Sequence, residues 1–262
     1  MDETTKEQQK NNEAAEGKQD RGNVVLMTRE VTQNDMQLAE KMGLHLETAP
    51  LLDYRFPRAP ELRSMARELN RYNLNGVIVT SQNGAIGFKR LVNEGLTLRD
   101  QWKYYAVGEK TAGKMEMLLG LEVQRPKEQT SHSLTELILQ NQRKNPRLLY
   151  LCGNLAGEHL PDTLKEQGID VSTVEIYKTV SRRPVEFPGS KYAGVAFYSP
   201  SAVDAFDNNG GFELDVNTYY AIGPVTAEHL RSSTDKPVII AEDPSTESLF
   251  EAISASIKST DY

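Results

Sequence analysis

The sequence predicts an α/β protein of two similar domains, each a parallel sheet flanked by helices. Three observations predict it. Short apolar runs alternate with helix-spaced segments, the same order of segments occurs twice, and 262 residues suffice for two cores of roughly 100 to 130 residues each.

The first apolar run, Val24-Val25-Leu26-Met27-Thr28, is of the kind that becomes a buried parallel strand. Met36, Leu38, Ala39 and Met42 then recur at helical spacing, Gly43 is placed to end that helix, and Leu44 to Leu52 reads as extended. Leu148-Leu149-Tyr150-Leu151-Cys152 opens the order again, followed by Leu160, Leu164 and Gly168, with Ile169 to Val180 extended. Gly43 and Gly168 stand 125 positions apart, as do Thr48 and Thr173, while Val24 and Leu148 stand 124 apart. Gly76 to Phe88 matches Gly194 to Phe206 at a constant offset of 118, each a strand running into a helix. Tyr104 to Ala112 matches Tyr219 to Ala227 at an offset of 115, which holds to Leu134 with Leu249 and Ile138 with Ile253. Such constant offsets are the signature of an internal duplication. Each half should use right-handed crossovers and gather its functional groups in loops at the carboxyl ends of the strands. Two such domains facing each other would enclose a cleft suited to a large ligand.

Composition narrows the function. Hydrophobic residues make up 38% and charged residues 26%, an ordinary globular balance. A formal net charge of −7 argues against the basic surface that binds a phosphate backbone, so no nucleic-acid partner is expected. Cys152 is the one cysteine, which leaves no intramolecular disulfide and fits a reducing compartment, the cytoplasm. No apolar run approaches the roughly 18 to 20 residues that span a bilayer, and the first residues lack a secretory apolar core. Residues 1–22 are almost free of groups to bury and read as a disordered tail.

The strand ends share a chemistry. Thr80-Ser81-Gln82-Asn83, Val107-Gly108, Cys152-Gly153-Asn154, Tyr198-Ser199-Pro200-Ser201 and Ile222-Gly223 all place small or hydroxyl residues just before a helix or loop. Glycine lets backbone approach a ligand, hydroxyls cap the next helix, and free amides attract carboxylate or phosphate. Helix capping alone also explains any one of these loops, whereas several directed into one cleft suggest an anion cradle. His45, His132, His159 and His229 have no metal-site spacing, and no metal is expected. Gly84 and Gly87 complete no dinucleotide fingerprint, and neither a phosphate-binding GxxxxGK[ST] loop nor a Gly-x-Ser-x-Gly elbow occurs. No cofactor is expected either. Cys152 ends a buried strand and reads as a small core residue.

These segments resemble the uroporphyrinogen-III synthase family from about Val24 to Ile257. The matching phrases stand in family order: Leu26-Met-Thr-Arg29, Val79-Thr-Ser-Gln-Asn-Gly-Ala85, Ala106-Val-Gly-Glu-Lys-Thr-Ala112, Leu151-Cys-Gly-Asn154 and Leu164-Lys-Glu-Gln-Gly168. Val174-Glu-Ile-Tyr-Lys-Thr179, Phe197-Tyr-Ser-Pro-Ser-Ala202, Ala221-Ile-Gly-Pro-Val-Thr-Ala227 and Ala241-Glu-Asp-Pro-Ser-Thr-Glu-Ser-Leu249 complete them. The resemblance implies that each domain takes one βα piece from the opposite repeat. Domain 1 would be residues 23–49 plus 187–262 and domain 2 residues 57–176. Residues 50–56 and 177–186 would form a two-stranded linker between them, a hinge for the cleft.

The implied substrate is hydroxymethylbilane, a linear tetrapyrrole with eight carboxylates, and the implied reaction is ring closure with loss of water and inversion of the last ring. The protein's task would be to fold the chain, exclude premature closure and assist departure of the hydroxyl group. The resemblance puts Tyr177 forward as acid or hydrogen-bond donor, although a linker tyrosine packed on the cleft wall reads the same way. Ser81, Thr111, Ser199, Thr226 and the amides of Gly108, Gly153 and Gly223 would hold carboxylates, with Arg29 as charge partner. Lys178 should point away from Tyr177. A monomer is expected. A second class also suits a duplicated two-domain chain: a small-anion binding or sensory protein whose cleft closes without catalysis.

Overall fold

The computed structural model describes residues 24–141 and 146–260, so the expectation for the 1–22 tail lies outside the described residues. In chain order the first elements are β1 (Val24–Met27), α1 (Gln33–Lys41), β2 (His45–Thr48), β3 (Leu52–Arg55), α2 (Ala59–Leu69), β4 (Gly76–Val79), α3 (Gln82–Asn93), β5 (Lys103–Ala106), α4 (Glu109–Leu119) and β6 (Val123–Gln124). There follow α5 (Ser131–Asn141), β7 (Arg147–Gly153), α6 (His159–Glu166), β8 (Asp170–Ser181), β9 (Lys191–Phe197), α7 (Pro200–Asp207), β10 (Asp215–Ala221), α8 (Pro224–Arg231), β11 (Val238–Ile240) and α9 (Thr246–Thr260). No helix among the described residues is long and apolar enough to cross a membrane.

The chain divides at 53/54 and 180/181 into two compact units, the first made of its two outer segments and the second of its middle. The first unit holds a five-stranded sheet, β11-β10-β9-β1-β2, with every neighbouring pair parallel. The second sheet runs β6-β5-β4-β7-β8, again parallel, with β3 added beyond β8. The strands expected as linkers are thus β3 and the last part of β8, neighbours in this sheet.

Matching the repeats makes the two orders the same. β1 corresponds to β7, β2 to β8, and β9, β10 and β11 to β4, β5 and β6. Leaving β3 aside, each sheet therefore joins three strands of one repeat to two of the other. The order reverses between β1 and β9 in the first sheet and between β7 and β4 in the second, the places where open α/β sheets bind ligands.

Local signals explain the boundaries. Thr32 and Asp35 close a capping box on α1, with Asp35 N–H donating to Thr32 Oγ1 at 3.2 Å and Thr32 N–H donating to the Asp35 carboxylate at 2.9 Å. Gly43 and Gly168, matched in the repeat, lie after α1 and α6 at φ 73° and 80°, left-handed values that a side chain would resist. The central strands β1, β4, β7 and β9 are buried along almost their whole length, as in a parallel sheet covered on both faces, whereas the outer β2, β3 and β8 mix polar and apolar residues. Val77, Val79, Leu149 and Leu151 feed one core cluster of the second unit, while Ile78, Leu148 and Tyr150 feed the other. In the first unit Leu26, Val195 and Phe197 pack on one face, and Val25, Met27 and Ala196 on the other.

Candidate functional site

Each unit presents a cluster at the carboxyl ends of the strands flanking its order reversal. In the second unit β4 ends just before Ser81, β7 ends at Gly153, and β8 carries Tyr177 beside it. Ser81 caps α3, its Oγ accepting from the Gly84 N–H at 2.9 Å, and lies 3.1 Å from Tyr177 Oη. Because that oxygen already accepts from the helix, the serine proton is free to go to Tyr177. The phenol proton can then face outward. Gly153 supplies space rather than a contact of its own: a Cβ there would collide with Tyr177 Cζ and sit 2.7 Å from its Oη. The structure thus brings together three of the residues expected from sequence, Ser81, Gly153 and Tyr177.

The surroundings of Tyr177 are aromatic and mostly neutral. Tyr54 meets its ring edge-on at 6.2 Å between centroids, and Phe56 lies 6.1 Å away on a tilt. Arg90 stacks its guanidinium 4.2 Å from the Phe56 centroid. Burial pushes the Tyr177 phenol above its ordinary value, and Tyr54 and Cys152 add to the rise; the Ser81 hydrogen bond opposes it. The phenol is therefore a protonated donor throughout the neutral range. Beneath it Thr80 Oγ1 and Tyr150 Oη share a hydrogen bond of 3.0 Å, and burial raises the Tyr150 phenol too, against the pull of that bond. The Cys152 thiol donates to the Val174 carbonyl at 3.8 Å, and burial, then Glu175, pushes its pKa up, away from nucleophilic reactivity.

Gly108 and Thr111 lie one strand over, at the start of α4 after β5. The Gln129 carboxamide covers Gly108 so closely that a Cβ would overlap it, and Thr111 is 7% exposed. In the first unit the matching start of α8 is open: nothing lies within 4 Å of a Cβ at Gly223, while Thr226 is 4% exposed. Ser199 caps α7, accepting from the Ala202 N–H at 3.3 Å, and shares a 3.0 Å hydrogen bond with Ser201.

Arg29, at the end of β1, is heavily engaged. It pairs with Asp35 at 3.0 Å, donates to the Glu30 carbonyl at 2.7 Å and to Thr246 Oγ1 at 3.1 Å, and lies 4.2 Å above the Tyr198 ring. The Tyr198 hydroxyl is buried without a hydrogen-bond partner. Burial raises its pKa; Arg29 opposes this electrostatically, and neither Arg29 nor Thr246 is placed for a full hydrogen bond to it. Arg29 and Ser199 thus flank the reversal of the first sheet, with Gly223 and Thr226 one strand over.

Sequence reasoning passed over Tyr198, Tyr54, Phe56, Arg90 and Gln129. Tyr198 carries a signal, since it stands at the repeat position of Thr80, directly before Ser199 as Thr80 stands before Ser81. The others reach the clusters from distant segments and carry none. Among the described residues no group of three or more His, Cys, Asp or Glu side chains is arranged to hold a metal ion.

Comparison with known proteins adds an independent line. The family model described as uroporphyrinogen-III synthase HemD matches residues 35–251. A uroporphyrinogen-III synthase of Proteus mirabilis is 27% identical over 151 residues, covering 54% of this chain and 73% of that protein. Among solved structures, a mutant uroporphyrinogen III synthase of Thermus thermophilus aligns at a TM-score of 0.61 and 20% identity, over 90% of this chain and 99% of that one. Uroporphyrinogen-III synthetase of Helicobacter pylori aligns at 0.57 and 21% identity, over 89% and 98%. At those identities the structural likeness speaks for the fold, and the family match speaks for the chemistry.

Proposed function

The chain belongs to the uroporphyrinogen-III synthase family, lyases of haem and tetrapyrrole biosynthesis, and we propose that Tyr177 assists departure of the hydroxyl group when it cyclises hydroxymethylbilane. The observation that carries this reading is the Ser81–Tyr177 pair at 3.1 Å, next to the order reversal of the second sheet. Ser81 donates to the phenol oxygen, and the phenol donates to the hydroxyl group of the substrate. As the carbon–oxygen bond breaks, the pyrrole nitrogen supplies the electron pair, water leaves and an azafulvene cation remains. The far pyrrole attacks through its substituted carbon to a spiro intermediate, which fragments and recloses with the last ring inverted. The proton lost from the closing ring balances the one taken by the leaving water, and no electron is gained or lost overall.

The eight carboxylates would be held by Arg29, by the helix starts at Ser81, Ser199, Gly108 and Gly223, and by Thr111, Thr226 and the Gly153 amide. Gly223, open above, is the readiest of these sites. Gly108 requires Gln129 to move aside. We take the protein to act as a cytoplasmic monomer, with domain 1 at 23–49 plus 187–262, domain 2 at 57–176 and 50–56 with 177–186 as hinge. Light scattering with and without product tests the monomer.

The decisive experiment incubates the protein with enzymatically generated hydroxymethylbilane and separates the product isomers. Type III uroporphyrinogen is the expected product. Only the spontaneous type I ring would favour instead the small-anion binding or sensory reading, which the family match does not support.

A further inference from the structure

β8 breaks its pairing with β7 at one place, where Cys152 faces Glu175 but Gly153 faces Tyr177, so Ile176 is the extra residue of a β-bulge. In a regular strand Ile176 and Tyr177 would point to opposite faces. Here both join the same core cluster, Ile176 fully buried and Tyr177 partly so. Two glycines make room for them: a Cβ at Gly87 would lie 2.8 Å from two Ile176 side-chain carbons, and one at Gly153 would collide with the Tyr177 ring. Beyond the bulge β7 has ended, and its last rungs are replaced by one residue. The Asn154 N–H donates to the Tyr177 carbonyl at 3.3 Å, its Oδ1 accepts from the Thr179 N–H at 2.7 Å, and its Nδ2 donates to the Thr179 carbonyl at 3.3 Å. The carboxamide thus acts as a surrogate peptide that holds β8 in the shifted register.

We infer that Asn154 is a positioning residue: by locking the bulge, it keeps the Tyr177 phenol seated over Gly153 and within reach of Ser81. This rests on the reading of Tyr177 as the group that assists hydroxyl departure. Asn154 is exposed and its carboxamide hydrogen-bonds to strand backbone, so its loss should loosen the register without emptying the core.

The test uses the full chain labelled with ¹³C at tyrosine Cζ, the Tyr177 resonance being assigned by its disappearance in Tyr177→Phe. Asn154→Ala should move or broaden that resonance and lower kcat roughly tenfold at nearly unchanged KM. Gly153→Ala, which displaces the ring while leaving Asn154 in place, should move the same resonance and serves should Asn154→Ala fail to fold. On the Tyr177→Phe background, Asn154→Ala should cost no more than about twofold further, because the two residues act as one unit. An unmoved Tyr177 resonance in folded Asn154→Ala overturns the inference, as does an undiminished loss from Asn154→Ala on the phenylalanine background. If Tyr177→Phe retains full turnover, the role of the phenol in leaving-group departure fails. A moved resonance would then still establish Asn154 as the residue that seats the ring.

Discussion

The two strand-end clusters sit on the same duplicated scaffold yet carry different side-chain chemistry, a neutral phenol in one and an ion pair in the other. Ser81 corresponds to Ser199 and Thr80 to Tyr198, and the strand registers match Cys152 to Arg29. In the second unit the absent side chain at 153 lets a neutral phenol lie down beside Ser81. In the first unit Arg29, just beyond β1, projects a guanidinium that covers Tyr198 and pairs with Asp35. One strand end carries a protonated phenol among aromatic rings and the other a guanidinium paired with a carboxylate. The backbone amides at the helix starts are common to both, a geometry that attracts anions, and on the reading proposed above the side chains around them would divide the labour. A proton donor works best where burial keeps it neutral, and a cation where carboxylates arrive.

The sharpest way to break this comparison is Tyr177→Phe. A positioned proton donor contributes on the order of 10²-fold or more, and because the bilane also closes spontaneously the lower end applies, with KM little changed. Near wild-type formation of the type III isomer in this variant would reduce Tyr177 to a packing residue. Its counterpart is Arg29→Ala, for which KM should rise about tenfold, as expected for a lost charge-assisted hydrogen bond, with a smaller change in kcat. Arg29→Lys should restore only part of the affinity, since an ammonium cannot reproduce the planar contacts to Asp35 and Thr246. A loss in kcat alone would place the cation with the chemistry and erase the division.

A smaller contrast lies between the matched serines. Both cap a helix, and removing a cap costs about 1 kcal/mol of stability, so Ser81→Ala and Ser199→Ala should lower the melting temperature alike. Ser81→Ala should also lower turnover several-fold through the lost Tyr177 bond, while Ser199→Ala should leave it within about twofold. Equal effects on rate would show that the duplicated serines do the same work. Abolished turnover in well-folded Ser199→Ala would point to serine chemistry instead.

The least conspicuous effect concerns pH. Burial raises the Tyr177 pKa, so its protonated form persists above the ordinary phenol value of about 10. If that proton is required, turnover should not fall on the alkaline side until above that value, and Ser81→Ala should move the limb upward, because the serine bond lowers the phenol pKa. A limb well below pH 10 that survives in Tyr177→Phe would assign it to another group.

Much of the architecture was legible in the chain because its signals are local or repetitive. The run Val24–Met27 is apolar enough to be read as a buried strand, Gly43 and Gly168 mark helix ends at matching places, and the constant offsets announce the duplication. The members of one candidate cluster stand in separate recognisable phrases too: Ser81, Gly153 and Tyr177 meet in the structure. What each does there depends on contacts that sequence spacing does not encode. Gly153, expected as an amide donor, makes room for a ring, and only the shifted register of β8 against β7 creates that need. Arg29, expected as a cation for the substrate, is tied to Asp35 and Thr246 from α1 and α9. Gly108 and Gly223 look identical in the repeat, but Gln129 covers one and the other is open. Periodicity and duplication are written along one dimension, so the sequence by itself determined the strands, helices and repeated plan. Which side chain fills, blocks or charges a given strand end was decided only by packing among segments distant in the chain, where a one-residue bulge changes which neighbours meet.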